Sequence, residues 1–134
     1  MRHKRTIFLA LGFGFLFTAV PVVAHHSFMG EFNLTKALRL NGVVTRVEWA
    51  NPHISFNIDV KDDSGKVKDW NIQSANPGSL IARGWTRESL KPGDRIIVEG
   101  YPAKKGEAFA VAKSVTLSNG RKLSANSDGV PETQ

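Results

Sequence analysis

Apolar and polar residues alternate with a period of two along much of the chain. In residues 53–60, Ile54, Phe56, Ile58 and Val60 share one parity, while Ser55, Asn57 and Asp59 take the other. That is the pattern of a half-buried strand. Asp62-Asp63-Ser64-Gly65 turns the chain, and residues 67–74 continue with Trp70 and Ile72 on one face. The strand before these, residues 37–49, changes parity. Leu38 and Leu40 share one, whereas Val43, Val47 and Trp49 share the other. The change falls at Asn41-Gly42. Glycine in a strand often marks a bulge, and a bulge exchanges the two faces. The pattern therefore predicts a long first strand bent at Gly42.

A helix is expected after the third strand. Asn76 suits the N-cap, Pro77 the first helical position and Gly84 the C-terminal cap. Leu80, Ile81 and Trp85 would supply its short apolar face. Lys91-Pro92-Gly93-Asp94 places Pro then Gly at the centre of a turn, which favours type II. Residues 95–100 read as the fourth strand, and Phe109, Val111, Val115 and Leu117 mark the fifth. Asn119-Gly120 is a hairpin turn, and residues 121–123 return as a short extra strand. The order β-β-β-α-β-β is that of an all-β, OB-like five-stranded barrel with one short helix between strands 3 and 4. A small β-sandwich is the alternative; the position of the helix favours the barrel.

The two ends break the alternation. Arg2, Lys4 and Arg5 precede an uncharged, mostly apolar run over residues 7–20, which Pro21 ends. Val22-Val23-Ala24 offers small or modest side chains for a signal peptidase, so residues 1–24 read as a cleavable secretory leader. The run is shorter than the roughly 20 apolar residues of a spanning helix. With no cysteine in the chain, lipid anchoring at the cut is excluded. The expected organisation is a leader over 1–24, an OB-like domain over 25–123 and a polar, disordered tail over 124–134. The mature protein would be periplasmic or secreted, without a membrane anchor.

Removing the leader lowers the formal net charge from +6 to +3, because three basic residues leave with it. That surplus and the export signal both argue against a nucleic-acid partner. The absence of cysteine also removes disulfides and thiolate chemistry.

Three histidines remain after processing: His25, His26 and His53. A cut after Ala24 gives His25 a free α-amine, whose reference pKa is roughly 8. A metal can displace that proton near neutral pH. The amine and Nδ1 of the same ring then close a six-membered chelate. A second imidazole would complete a nitrogen site suited to Cu(II) rather than to a hard cation. His53 is the candidate second ligand, with His26 in reserve and Trp49 and Met29 as neighbours. The plain alternative is a soluble N-terminus and a histidine that hydrogen-bonds at a strand edge after Pro52. No H-x-x-x-H pair or fixed ligand spacing exists.

Other constellations are ordinary. Asp62, Asp63 and Asp69 do not match a calcium loop, and Lys61, Lys66, Lys68, Lys104 and Lys105 are scattered. Most of Trp49, Trp70 and Trp85 are expected to pack in a core this small. No nucleophile elbow or phosphate loop is present, so a binding role is expected rather than an enzyme, with a copper-dependent oxidase starting at His25 as the remaining enzymatic alternative. A metal-free module for a glycan, a peptide or a periplasmic protein partner is the alternative to copper.

The assembled motifs resemble an uncharacterised family of small exported bacterial proteins, a domain-of-unknown-function family. The resemblance rests on His25-His26-Ser27-Phe28, on the run from Gly42 through Glu48-Trp49, and on Asn51-Pro52-His53. It continues at Gly84-Trp85, Leu90-Lys91-Pro92-Gly93-Asp94 and Asn119-Gly120-Arg121. It implies an exported single domain and brings no established activity. The chain departs from the resemblance at Asn33 and Gln73, where carboxylates would be expected. A looser similarity to periplasmic copper carriers built on small OB barrels is analogy at the level of fold.

Overall fold

The computed structural model describes residues 30–127 and Val130. Six strands and one helix follow in chain order: β1 (Leu38–Glu48), β2 (Ser55–Lys61), β3 (Val67–Gln73), α1 (Pro77–Ala82), β4 (Arg95–Pro102), β5 (Phe109–Thr116) and β6 (Lys122–Ser124). The sheet order is β3-β2-β1-β4-β5-β6, and a parallel β3–β5 pairing closes it. The result is a closed five-stranded mixed barrel of OB type, with the helix between β3 and β4 as the pattern predicts.

β1 makes closure possible. Its first half pairs with β4 and its second half with β2, and Val43 faces a partner on both sides. The change of face does not fall at Gly42. Leu40, Gly42 and Val44 are all buried, and the register shift lies between Val44 and Arg46, so Thr45 is the bulged residue. Val44, not Val43, is the core residue. Gly42 serves close approach instead: a Cβ there would lie 2.8 Å from the Asp59 carbonyl oxygen. β2 crowds β1 at this point, and only hydrogen fits.

The barrel interior is filled by Leu40, Val44, Ile54, Phe56, Ile58, Ile72, Ile96, Val98 and Val115. Burial of this inward parity is the main favourable term in folding. α1 caps the end where β3 exits. The Asn76 side chain accepts from Ser79 N at 2.9 Å, and Gly84 takes φ +87° just beyond the helix. Leu80 and Trp85 pack into the core, but Ile81 is exposed and does not share their face. With only six residues, the helix turns too little surface inward to bury all three.

The C-terminal expectation also needs correction. Ser124 ends β6, and Ala125, Asn126, Ser127 and Val130 are buried. These small side chains pack where a polar tail was expected, and Trp85 Nε1 donates to the Ser124 carbonyl at 2.7 Å. Val130 joins Phe32, Tyr101 and Val111 in a second apolar cluster. Phe32 bridges Ala103, and Asn33 N donates to the Pro102 carbonyl at 2.9 Å, so the segment before β1 is laced along the end of β4. Among the described residues, no helix is long and apolar enough to cross a membrane.

Candidate functional site

The β1–β2 connection carries Trp49, Asn51, Pro52 and His53. Its exit is tied down by backbone bonds: Ile54 N donates to Ala75 O at 3.1 Å, and Ser74 N donates to Ile54 O at 2.9 Å. Ser74 Oγ donates to the same carbonyl at 3.0 Å. His53 is thereby held half-buried at the mouth of β2. Its parity is that of Ser55, Asn57 and Asp59, the outward side of the barrel. The Arg87 guanidinium lies over the Trp49 ring at 5.7 Å, pinning the loop to the turn after α1.

Gln73, noted in the sequence only as a departure from an expected acid, gains significance from the fold. It pairs with Ser55 across the β2–β3 ladder. His53 precedes Ser55 by two residues, just outside the ladder. The Gln73 Oε1 is buried without a hydrogen-bond partner among the described residues. A buried acceptor left unpaired costs free energy, and periodicity does not signal it, because a strand glutamine is unexceptional. Asn33 is already used: its Oδ1 accepts from Thr35 Oγ1 at 2.7 Å.

His25, His26 and Met29 lie outside the described residues, as do the leader and residues 131–134. Among the described residues, no group of three His, Cys, Asp or Glu side chains could hold a metal ion. The structure therefore provides one of the proposed ligands, His53, with Trp49 nearby in the same loop.

The remaining candidates resolve into structural roles. Asp62 accepts from Ser64 Oγ at 2.6 Å and from the Ser64 and Lys66 amides at 2.9 Å. The Ser64 hydroxyl bond, with these amides, holds the Asp62 carboxyl below its ordinary range. It is a turn cap. Trp85 is core; Trp70 is half-buried, with the Lys68 ammonium 5.3 Å from its ring centroid. The outward face of β2 and β3 is a polar ladder in which Asn71 Nδ2 donates to Asn57 Oδ1 at 3.1 Å, and Asn57 Nδ2 to Asp69.

Comparison with known proteins places these features. Residues 14–112 match a family of unknown function, DUF6152. The chain belongs to this family. The match begins inside the segment read as a leader, takes in Asn51-Pro52-His53 and ends within β5, so the resemblance drawn from the motifs holds for DUF6152. No curated protein matches the chain. Among solved structures, it is similar to the crystal structure of a mitochondrial single-stranded DNA binding protein from S. cerevisiae, Rim1, at 16% identity. That likeness covers 62% of this chain and 93% of the other, with a TM-score of 0.49.

Proposed function

We propose that this DUF6152 protein is an exported metal-binding domain that holds copper between its processed N-terminus and His53. The observation that carries the reading is the position of His53: half-buried at the mouth of β2, two residues before Ser55, whose ladder partner Gln73 has a buried, unpaired Oε1. His25 contributes amine and imidazole, His53 a second imidazole, and His26 stands in reserve. The amide oxygen of Gln73 is an acceptor for a ligand N–H, the kind of outer partner that orients metal-bound imidazoles.

The role is carriage, sensing or protection in the periplasm, rather than turnover.

The test uses protein exported and purified without an N-terminal tag. Intact mass fixes the first residue, and Cu(II) titration followed by electron paramagnetic resonance reads the ligands. One equivalent of copper with nitrogen coupling, lost in His25→Ala and reduced in His53→Ala, supports the reading. A chain that begins elsewhere, or one that binds no stoichiometric copper, refutes it.

In that event the metal-free module is the reading that remains. It is favoured by the outward β2–β3 face, where Ser55, Asn57, Asp59, Asp69 and Asn71 present amides, a hydroxyl and carboxylates. Such a face suits the hydrogen bonds of a glycan or peptide. It lacks the stacking aromatics and the positive charge that single-stranded nucleic acids need.

A further inference from the structure

The barrel has two unlike ends. α1, Leu80 and Trp85 fill the end where β3 exits. At the other end, Leu38, Trp70 and Pro102 border an open cleft of about 290 Å³. Leu38 from β1, Trp70 from β3 and Pro102 from β4 form its apolar wall. Lys36, Lys68 and Lys104 stand at its rim, with Glu107 as the single acid. Lys68 rests on the Trp70 ring and is held at the opening.

Charge is concentrated on this side. Residues 30–127 hold fifteen basic and ten acidic side chains, a surplus of five. The mouth accounts for two of that surplus. An adjoining groove that shares Leu38 carries Arg39, Lys113 and Lys122 against Glu99, which adds two more. Four of five net charges therefore border one strip of surface, and that positive potential attracts anions to it.

We propose that the open mouth of the barrel binds a small organic anion: an apolar ring bearing a carboxylate or phosphate. The ring lies against Trp70, Leu38 and Pro102, and the charged group meets the lysine ammonium groups. Barrel mouths are common places for small-ligand sites, and a mostly apolar wall with a few convergent polar groups is their usual make-up. Three compact ammonium charges suit a phosphate or carboxylate. A purely apolar ligand would leave them without a partner, and an inorganic anion would leave the wall unused. The site lies apart from His53 and does not depend on copper.

The probe is phenyl phosphate, titrated into the ¹⁵N-labelled protein and followed by NMR. Saturable shifts are expected at the Trp70 indole and around Gly106, with a Kd of about 1 mM for a ligand of this size. Lys68→Ala combined with Lys104→Ala should weaken binding about tenfold through loss of two ammonium charges. Both lysines are exposed, so the variant retains the fold, and its amide spectrum checks this. Added salt should weaken binding as well. Benzyl alcohol binding as tightly as phenyl phosphate would overturn the role of charge, and inorganic phosphate binding as tightly would overturn the role of the ring. Absence of saturable shifts at the mouth, or unchanged affinity in the double variant, would overturn the site itself.

Discussion

Replacing Gly42 by alanine tests whether strand crowding or a bulge explains this glycine. The two explanations predict opposite signs. Gly42 does not have positive φ, so alanine can adopt its backbone conformation. Were the space open, the substitution would stabilise the protein by about 0.4–1 kcal/mol by restricting the unfolded chain. The space is closed. The added Cβ meets Asp59 O at 2.8 Å, Val60 Cγ2 at 3.1 Å and the Asp59 carbonyl carbon at 3.3 Å. Two of these are backbone atoms of β2, which cannot rotate away, so β1 and β2 must separate by several tenths of an ångström. Overpacking of this kind costs about 1–3 kcal/mol, and net of the unfolded-state gain about 1–2 kcal/mol remains. For a domain of this size, each kcal/mol lowers Tm by about 4–8 °C. Guanidinium unfolding followed by tryptophan fluorescence reports the change, with Trp85 buried against Ser124 as one reporter. A midpoint equal to or above that of the parent protein, at unchanged denaturant slope, refutes the crowding argument. Gly100→Ala should be worse, because its Cβ would overlap the Val111 carbonyl oxygen outright.

Three further outcomes are expected. Val44→Ala should cost about 2–3 kcal/mol and Val43→Ala less than about 1 kcal/mol, since only Val44 is fully buried and methyl deletion scales with burial. Equal losses in thermal unfolding would contradict the Thr45 bulge. Asn76→Ala should cost about 1 kcal/mol by removing the cap on Ser79 N, whereas Asn76→Asp should retain most of it; indistinguishable Tm values for Ala and parent would contradict this. Glu99 takes hydrogen bonds from Lys122, Ser114 and Arg39, and the Lys122 and Ser114 bonds hold its carboxyl below its ordinary range. A carboxylate whose folded pKa is depressed stabilises above its unfolded pKa and loses that contribution as pH falls through its folded value. The stability advantage over Glu99→Gln, about 1 kcal/mol at neutral pH, should therefore shrink below about pH 4. An advantage that is constant from neutral to acid pH would refute it.

How much was legible varies residue by residue. The inward parity of β2, the N-cap Asn76 with Pro77, the glycine beyond the helix and the Asn119-Gly120 turn all follow from interactions within a few residues. Local geometry alone decides them, so the chain states them openly. The family landmarks around Asn51-Pro52-His53 were legible through the resemblance they carry, and the OB order of elements through the strand pattern. The proposed ligands divide: His53 has a described position, while His25, His26 and Met29 lie outside the described residues.

Other features depended on partners distant in the chain. Gly42 looked like a bulge because parity changes near it; the crowding of β1 by Asp59 is set by β2, and the bulge moved to Thr45. The residues after Leu123 read as a tail, but Trp85, Ala75 and Arg83 donate to the backbone carbonyls of Ser124, Ala125 and Asn126. Gln73 acquired its place opposite Ser55, near the loop that carries His53, only through the β2–β3 register. The barrel mouth exists because Leu38, Trp70 and Pro102, spread over more than sixty residues on three strands, meet at one rim. Sequence alone determined the local elements and their order, since hydrogen bonding and side-chain alternation are short-range. Tertiary structure decided which residues face one another across the barrel, because closure joins strands that the chain itself keeps far apart.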